Sequence, residues 1–423
     1  MLLWLAAPTT PSDLDAILAD PALKGAQVGV CVTDPTGKIL FERNSELRFV
    51  PASNQKLVSV LFALDTLGPD YRGHTRIWKG KGRVDVEATG DATLTLDDFR
   101  AVRKKLNLTQ GWPIHVRGPY KTGLGPGWEW DDLPWYYAAP TCPLTIDRAE
   151  FDVYASQGRI EPLAPELRVK VVRHRQGKAK AEFDPATNTL TVTGPLPQKR
   201  ERLGQFAQPN PLQVAAHALG GDATTDSSPV PTRPPDVVLE GKSLAETAKF
   251  CLEESDNMTA ERLMTLAALK VGPIADTPYP TAPQTERKYM AKSTSTLEDW
   301  FRPVDGSGLS RHNQIAPKAL CQMLNWAMSR SFAPVFLSAL AGPGEGTMKN
   351  RLKDSTFLGK TGTMDAVVCL SGYVKAQDGT RLTFSCLVNN NLAPASEVRV
   401  VQDRFVRALE KGLKVDDPSA KVP

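Results

Sequence analysis

The two ends of the 423-residue chain share an α/β texture that the middle lacks, and this arrangement most constrains the fold. Near the start, residues 27–42 contain two β-rich runs joined by an Asp-Pro-Thr-Gly turn, which predicts a hairpin. The apolar pattern from Leu57 to Leu67, stopped by Gly68, predicts a mostly buried helix. Ser53 falls in the first turn of this predicted helix.

The second half of the chain returns to helices and strands. Helical periodicity covers residues 244–269 and 317–328. Residues 356–375 and 381–389 predict adjacent strands of one antiparallel sheet, and residues 396–413 predict a final helix. The two ends together therefore predict one α/β (α+β) domain in which helices flank an antiparallel sheet.

Residues 73–238 have a different character, with short β-like runs, clustered aromatic residues and basic or proline-rich loops. This change of texture predicts a β-rich region inserted into the α/β domain. The predicted domain then consists of residues 8–72 and 239–423.

The charge balance argues against a nucleic-acid partner. Lys and Arg number 51 and Asp and Glu number 47, and a net charge of +4 is too small for general electrostatic binding to a polyanion. No stretch approaches the roughly 18 apolar residues of a membrane-spanning helix. The short apolar run from Met1 to Ala7 is compatible with the remnant of a signal peptide.

The sequence offers no starting motif for a metal or a cofactor, and none is predicted. The five histidines lack HExxH or HxH spacing, and the six cysteines include no CxxC pair. Cys369 and Cys386 flank a predicted hairpin turn and could face each other. Two buried core thiols are the favoured interpretation.

A serine and a lysine share one face of the first predicted helix. Ser53 and Lys56 are three residues apart, so their side chains come within reach of one another. A lysine whose ammonium form is disfavoured can take the serine proton and create a nucleophile. Taken alone, this spacing is better explained by a solvated lysine on a capped helix.

Two further triplets follow in order along the chain. Ser255-Asp256-Asn257 lies in a tight connection between helical patterns, where a helix N-cap is the simpler explanation. Lys360-Thr361-Gly362 lies in a predicted strand whose glycines allow another backbone to approach closely. It is not a phosphate-binding loop, because Asp354 stands where that motif needs glycine.

The order Ser-x-x-Lys, Ser-Asp-Asn, Lys-Thr-Gly, each on its expected element, resembles penicillin-binding proteins and serine β-lactamases. Further segments are similar to the low-molecular-mass class C penicillin-binding proteins, the D-alanyl-D-alanine carboxypeptidases and endopeptidases of peptidase family S13. These segments are Gly90–Leu94, Pro126–Asp132, Ala138–Pro140, Asp147-Arg148, Asp305–Asn313 and Gly344–Thr347. The resemblance covers about Gly25 to Arg407, with Asn54 at a position where many members carry Ser or Thr. It implies a β-lactamase/transpeptidase-like fold whose insertion forms two subdomains.

The resemblance also implies a mechanism and assigns roles. Ser53 would attack the terminal D-alanyl-D-alanine bond of peptidoglycan stem peptides, and Lys56 would accept its proton. Ser255 would relay a proton to the leaving nitrogen. The substrate-binding residues would be Asn257, Lys360, Thr361, Gly362 and Thr363. Lys360 would also help to keep Lys56 unprotonated, and the backbone N–H groups of Ser53 and Thr363 would bind the oxyanion.

Family members carry a pocket for the third stem residue, and the matching positions here are Asp132, Tyr137 and Met364. A carboxylate at Asp132 suits a free ammonium, which meso-diaminopimelate, ornithine and lysine all offer. The alternative explanation of the aromatic cluster around Tyr137 is a hydrophobic core of the inserted region.

The predicted function is therefore a serine DD-carboxypeptidase, with endopeptidase action on cross-links as a further activity and β-lactams as covalent inhibitors. A β-lactamase or esterase on the same scaffold is one alternative, although no Glu-x-x-x-Asn segment follows Asn257 to activate the deacylating water. A catalytically silent wall-binding protein is another. The substrate implies an exported protein, periplasmic or peripherally associated with the cell envelope.

Overall fold

The computed structural model of the protein describes residues 8–163, 167–174, 176–274 and 276–414, so the predicted signal remnant lies outside the described residues. Within these residues the α-helices are α1 (Pro11–Ile17), α2 (Gln55–Leu67), α3 (Leu96–Lys105), α4 (Pro211–Leu219), α5 (Leu244–Glu253), α6 (Asn257–Val271), α7 (Thr281–Thr294), α8 (Pro317–Met328), α9 (Ala333–Ala339) and α10 (Ala395–Glu410). None of these described helices is both long and apolar enough to cross a lipid bilayer.

The strands of the described residues fall into five sheets. They are β1 (Gln27–Thr33), β2 (Ile39–Arg43), β3 (Arg72–Lys79), β4 (Val84–Ala88), β5 (Ile114–Arg117), β6 (Glu150–Ser156), β7 (Arg159–Ile160), β8 (Arg168–Val172), β9 (Lys180–Asp184), β10 (Thr189–Thr193), β11 (Glu201–Ala207), β12 (Ala223–Thr225), β13 (Val237–Ser243), β14 (Phe301–Arg302), β15 (Gln314–Ile315), β16 (Leu358–Met364), β17 (Val367–Lys375) and β18 (Arg381–Asn389).

The chain divides into two compact units. The first contains the described residues up to Pro69, Leu244–Asp256 and those from Pro283 onward. The second contains Asp70–Ser243 and Asn257–Ala282. Sequence reasoning placed residues 257–282 with the two chain ends, whereas in the structure they pack within the second unit.

The first unit is built on a five-stranded antiparallel sheet in the order β16-β17-β18-β1-β2. The N-terminal hairpin and the C-terminal strands thus join in one sheet, through the pairing of β1 with β18. β17 and β18 are buried along almost their whole length, as expected for strands covered on both faces. Strand β16 forms the edge of the sheet, and an isolated bridge joins its Gly359 to Ala341.

Helices cover both faces of this sheet because successive strand residues point to opposite sides. On one face, Val30 and Phe384 belong to an apolar cluster with Phe405 of α10. On the other, the thiol of Cys321 in α8 donates to the carbonyl of Cys31 at 3.4 Å. The described sheet of this unit is therefore flanked by helices, as the sequence predicts.

Two details of this sheet refine the sequence prediction. Residues 356–375 form two strands rather than one, because the chain turns between β16 and β17, where Ala366 has a φ of 53°. Cys369 pairs with Leu387 and Leu370 with Cys386, so the two cysteines are offset by one register position and point to opposite faces. All six cysteines are buried, and none forms a disulfide among the described residues.

The described residues of the second unit include two large apolar cores, besides a small cluster of Ala139, Ala149, Ala207 and Met258. One lies between the sheet β12-β5-β4-β3-β13 and helices α3 and α4, with Phe99 and Leu219 at its centre. The other contains Phe183 and Phe206 from the two three-stranded sheets, β8-β10-β9 and β11-β6-β7. The region predicted to be β-rich therefore also contains two helices, α3 and α4.

Helix α6 packs in the second unit through a buried arginine. The guanidinium of Arg262 is fully buried and donates to the backbone carbonyl of Asp91 at 2.7 Å and to that of Cys142. Tyr279, which follows α6, donates to the Glu261 carboxylate at 2.6 Å. These bonds compensate the burial of two charged side chains and explain why residues 257–282 belong to this unit.

Candidate active site

Ser53 lies in a short 3₁₀ turn, Ala52–Asn54, directly before α2. Ala52 in front of it is buried and has a φ of 45°, a conformation that non-glycine residues rarely adopt. Backbone strain of this kind persists only where the surroundings enforce it. Gly308 packs closely against this turn, because a Cβ atom on Gly308 would lie 1.8 Å from the Ala52 carbonyl oxygen.

Lys56 lies one turn into the helix and is completely buried. Its Nζ donates to Ser53 Oγ at 2.9 Å and to the backbone carbonyl of Ser307 at 2.8 Å. The predicted serine and lysine are therefore in direct contact, while the Ser307 carbonyl supplies a second acceptor that fixes the lysine. This contact has the geometry that base-assisted activation of a serine requires.

A second serine and lysine, Ser255 and Lys360, are also in direct contact. Lys360 of β16 is completely buried, and its Nζ donates to Ser255 Oγ at 2.9 Å and to the Thr361 carbonyl at 2.9 Å. Ser255 has a φ of 61° in the turn after α5, so it does not cap α6 in an ordinary way. Burial, together with repulsion from Lys56, holds the pKa of Lys360 well below its usual value.

Strand β16 lies against the turn that carries the nucleophile. The side-chain amide of Asn54 donates to the Lys360 carbonyl at 3.2 Å. A Cβ atom on Gly362 would lie 2.8 Å from the Pro51 carbonyl oxygen, closer than side chains pack, so the approach depends on glycine. The sequence predicts that a glycine in this strand lets another backbone approach closely, and Gly362 does so for the backbone at Pro51.

The cavity in front of these residues has a volume of about 330 Å³. It is lined by Ser53, Ser255, Thr347, Arg351, Thr361, Thr363 and Arg399. The Thr361 hydroxyl donates to that of Thr347 at 2.9 Å, and Arg399 Nη2 donates to the Thr363 hydroxyl at 3.1 Å. Met364, at the end of β16, pairs with Val367 across the turn and does not line this cavity.

The other predicted site residues lie together in the second unit. The Tyr137 hydroxyl donates to the Asp132 carboxylate at 3.3 Å, and the Asn257 amide donates to the Tyr137 carbonyl at 2.9 Å. Burial and the neighbouring carboxylate raise the pKa of Tyr137 to about 12. The aromatic cluster is not a closed core, because Trp130 is 72% exposed and Trp135 is 42% exposed.

Sequence reasoning missed several residues that build the site. Glu286 of α7 is fully buried and accepts hydrogen bonds from Gln55 at 2.9 Å and Ser59 at 2.8 Å, on the helix that carries Lys56. Arg351 and Arg399 line the cavity. No local pattern distinguishes these side chains from ordinary surface charges, since their partners are remote in sequence.

The described residues contain no group of three or more His, Cys, Asp or Glu side chains that could hold a metal ion. The groups gathered in the first unit are five hydroxyls, two guanidinium groups and, next to them, the two buried amines of Lys56 and Lys360. This donor set suits covalent acyl transfer on a serine with an anionic substrate.

Comparison with known proteins identifies the family. The model of the D-Ala-D-Ala carboxypeptidase 3 (S13) family matches residues 10–411. The D-alanyl-D-alanine carboxypeptidase of Actinomadura sp. (strain R39) is 28% identical, over 90% of this chain and 81% of the relative. The D-alanyl-D-alanine carboxypeptidase DacB of Haemophilus influenzae is 23% identical, over 86% of each chain.

The fold has a counterpart among solved structures. Penicillin binding protein 4 (dacB) from Haemophilus influenzae superimposes with a TM-score of 0.74, at 20% identity, over 94% of this chain and 98% of that one. The predicted fold class and the predicted enzyme class, a serine-type D-alanyl-D-alanine carboxypeptidase, are confirmed. The chain belongs to the D-Ala-D-Ala carboxypeptidase 3 (S13) family, that of the low-molecular-mass class C penicillin-binding proteins.

Proposed function

We propose that this protein removes the terminal D-alanine of peptidoglycan stem peptides through an acyl-enzyme on Ser53. The observation that supports this most directly is the 2.9 Å hydrogen bond from buried Lys56 to Ser53, at the wall of an accessible cavity. The uncharged amine takes the hydroxyl proton while the serine oxygen attacks the carbonyl carbon of the penultimate residue. The ester then formed is hydrolysed by water.

The pairing of two buried lysines supports the role of Lys56 as a base. Burial and the repulsion between their ammonium groups lower the pKa of Lys360, so the site holds one positive charge more readily than two. The proposed reaction requires the neutral amine to be Lys56 and the remaining charge to be on Lys360. Ser255, which accepts a hydrogen bond from Lys360, then passes a proton to the leaving nitrogen.

The edge position of β16 suits an extended peptide. An edge strand offers backbone groups to which a substrate can add as a further strand. The Thr361 and Thr363 hydroxyls would bind the terminal carboxylate beside Lys360, with Gly362 keeping the strand close to the nucleophile. The backbone N–H groups of Ser53 and Thr363 would stabilise the oxyanion.

The same chemistry extends to cross-links and to β-lactams. A cross-link has a D-alanyl bond with a carboxylate next to the leaving nitrogen, so we propose endopeptidase action as well. A solved relative, penicillin binding protein 4 of Haemophilus influenzae, is described in complex with a β-lactam. We propose that β-lactams acylate Ser53 in this protein.

We assign substrate recognition in the second unit to the predicted residues there. Asn257 would hold a substrate amide, and Asp132 with Tyr137 would bind the ammonium of the third stem residue. Met364 is the remaining residue predicted for this recognition. Because peptidoglycan lies outside the cytoplasmic membrane, we also propose an exported protein, periplasmic or peripherally associated with the envelope.

Labelled benzylpenicillin tests the central assignment. We expect stoichiometric attachment to the peptide that contains Ser53, located by mass spectrometry, and D-alanine release from a stem pentapeptide. Ser53→Ala should abolish both, while Ser338→Ala, on the exposed side of α9, should preserve both. Labelling that survives Ser53→Ala would refute the nucleophile. Rapid nitrocefin turnover would favour a β-lactamase, and failure of the wild type to acylate would favour a silent wall-binding protein.

A further inference from the structure

The two arginines that line the catalytic cavity differ in how their charge is compensated. Arg351 Nη2 lies 2.7 Å from the Asp403 carboxylate, so its charge is paired. Arg399 has no carboxylate within ion-pair distance among the described residues. Its guanidinium donates instead to the Thr363 hydroxyl at 3.1 Å. An arginine stays protonated at any physiological pH, so this half-buried charge lacks a counterion of its own.

The surroundings of Arg399 disfavour its positive charge. Burial and the neighbouring Arg351 lower the pKa of Arg399, and the carboxylate of Asp403, which is paired with Arg351, offsets only part of this effect. Charged groups removed from water are normally paired, and an unpaired one that faces a cavity is available to an anionic ligand. None of the described residues that line the cavity is acidic.

We infer that Arg399 binds the free carboxylate of the leaving residue, and of β-lactams, in the acyl-transfer site proposed above. The position of Thr363 sets the geometry. An anion that accepts a hydrogen bond from the Thr363 hydroxyl lies next to the guanidinium that already contacts this oxygen. The planar fork of an arginine matches a carboxylate with two parallel hydrogen bonds, which a lysine or a hydroxyl alone does not provide.

This assignment adds a specificity determinant to the reaction. Lys360 is buried behind Ser255, and its hydrogen bonds go to Ser255 and to the Thr361 carbonyl. Arg399 is the cation that reaches the cavity beside Thr363 without a paired carboxylate. It therefore makes the site prefer a substrate with a free carboxylate over the corresponding ester or amide, independently of the nucleophile.

The test compares two probes that differ in one charge. Benzylpenicillin and its methyl ester are reacted with the full chain, and the second-order rate constant of acylation is followed by intact-protein mass spectrometry. We expect Arg399→Gln to slow acylation by the acid about tenfold to hundredfold, the range for loss of a charged hydrogen bond, and to change that by the ester less than about threefold. Arg399→Lys should give an intermediate loss for the acid, because the charge stays and the fork is lost.

The matched control is Arg404→Gln, which removes a positive charge from the same helix, where Arg404 pairs with Asp20 away from the cavity. It should leave both rate constants unchanged. An equal loss for acid and ester in Arg399→Gln, or no loss for either, would overturn the inference. The inference rests on the proposed function, and the two fail differently: if wild-type protein reacts with neither probe, the proposed function fails, whereas normal acylation without acid preference refutes only the role of Arg399.

Discussion

Lys360 donates a 2.9 Å hydrogen bond to Ser255, and Lys56 donates one of the same length to Ser53. Both lysines are completely buried, and both serines line the cavity. The substrate therefore meets two hydroxyls, each backed by an amine that is shielded from solvent. Shielding keeps water from solvating the ammonium forms, which is the condition for amine and hydroxyl to exchange a proton.

Ser255→Ala should slow acylation by benzylpenicillin by about 10²-fold to 10⁴-fold, the range for loss of a positioned proton-transfer group. The fold should persist, because the substitution removes one half-buried hydroxyl. The measurement is the acylation rate constant beside the urea midpoint of unfolding. Ser338→Ala is the control, and a Ser255→Ala enzyme with wild-type acylation would exclude a proton relay through this residue.

Sequence alone predicts the parts of this site that depend on residue spacing within a single helix, turn or strand. The Ser53 and Lys56 pair, the turn at Ser255 and the strand that contains Lys360 follow from spacing and from the elements that carry them. The order of these three motifs along the chain also indicates the family. Helix α8 lies where its apolar period places it, at Pro317–Met328.

The features that were not predicted depend on remote partners. Helix α7 carries few apolar residues, and its Glu286 is buried only because Gln55 and Ser59 bond to it across more than 200 positions of sequence. Arg262 draws α6 into the second unit by bonding to carbonyls of distant loops. The turn at Ala366 contains no glycine or proline to reveal it. In each of these cases the structure depends on tertiary contacts, which the periodicity of the sequence does not indicate.

The buried amine of Lys360 should make stability depend on pH. Its pKa is lowered in the folded state, so between that value and the ordinary value of 10.5 the unfolded chain binds a proton that the folded chain does not. The free energy of unfolding should therefore gain a positive slope with pH, of at most about 1.4 kcal/mol per pH unit. Lys360→Met, which keeps the apolar stem, should remove this contribution and slow acylation of Ser53, because Ser255 loses its hydrogen-bond donor.

Urea unfolding between neutral and alkaline pH measures this slope in wild type and variant. The difference between the two curves isolates Lys360 with its coupled neighbour Lys56, since other groups cancel. Identical slopes would show that Lys360 keeps its proton throughout the range and would contradict the lowered pKa of this amine.

Gly362→Ala should separate the strand from the nucleophile. The added Cβ would lie 2.8 Å from the Pro51 carbonyl oxygen and 3.1 Å from the Ala52 Cβ, so β16 or the turn that carries Ser53 must shift. We expect a loss of about 1 to 3 kcal/mol in stability from overpacking, with acylation slowed at least about tenfold. Gly272→Ala is the control, because a Cβ there meets nothing within 4 Å. Unchanged acylation would show that the contact yields without moving Ser53.

Glu286→Ala should loosen the helix that carries Lys56. The carboxylate is fully buried and accepts hydrogen bonds from Gln55 and Ser59, which would lose this acceptor. The expected destabilisation is about 1 to 3 kcal/mol, and acylation should slow because Lys56 is on the same helix. Glu397→Ala, at an exposed position in the first turn of α10, serves as control for the urea midpoint. A variant as stable as the control would show that the buried carboxylate contributes nothing net.

Asp132→Asn should test the third-residue pocket without touching the chemistry on Ser53. The Asp132 carboxylate accepts from the Tyr137 hydroxyl at 3.3 Å and remains partly accessible, so it can receive a substrate ammonium. We expect kcat/KM for D-alanine release to fall about tenfold on pentapeptides with a free ammonium at the third residue, and to change little when that amine is acetylated. Asp131→Asn, the exposed neighbouring acid, is the matched control. Equal losses on both peptides would indicate that Asp132 supports the loop through Tyr137 and does not bind the ammonium of the third residue.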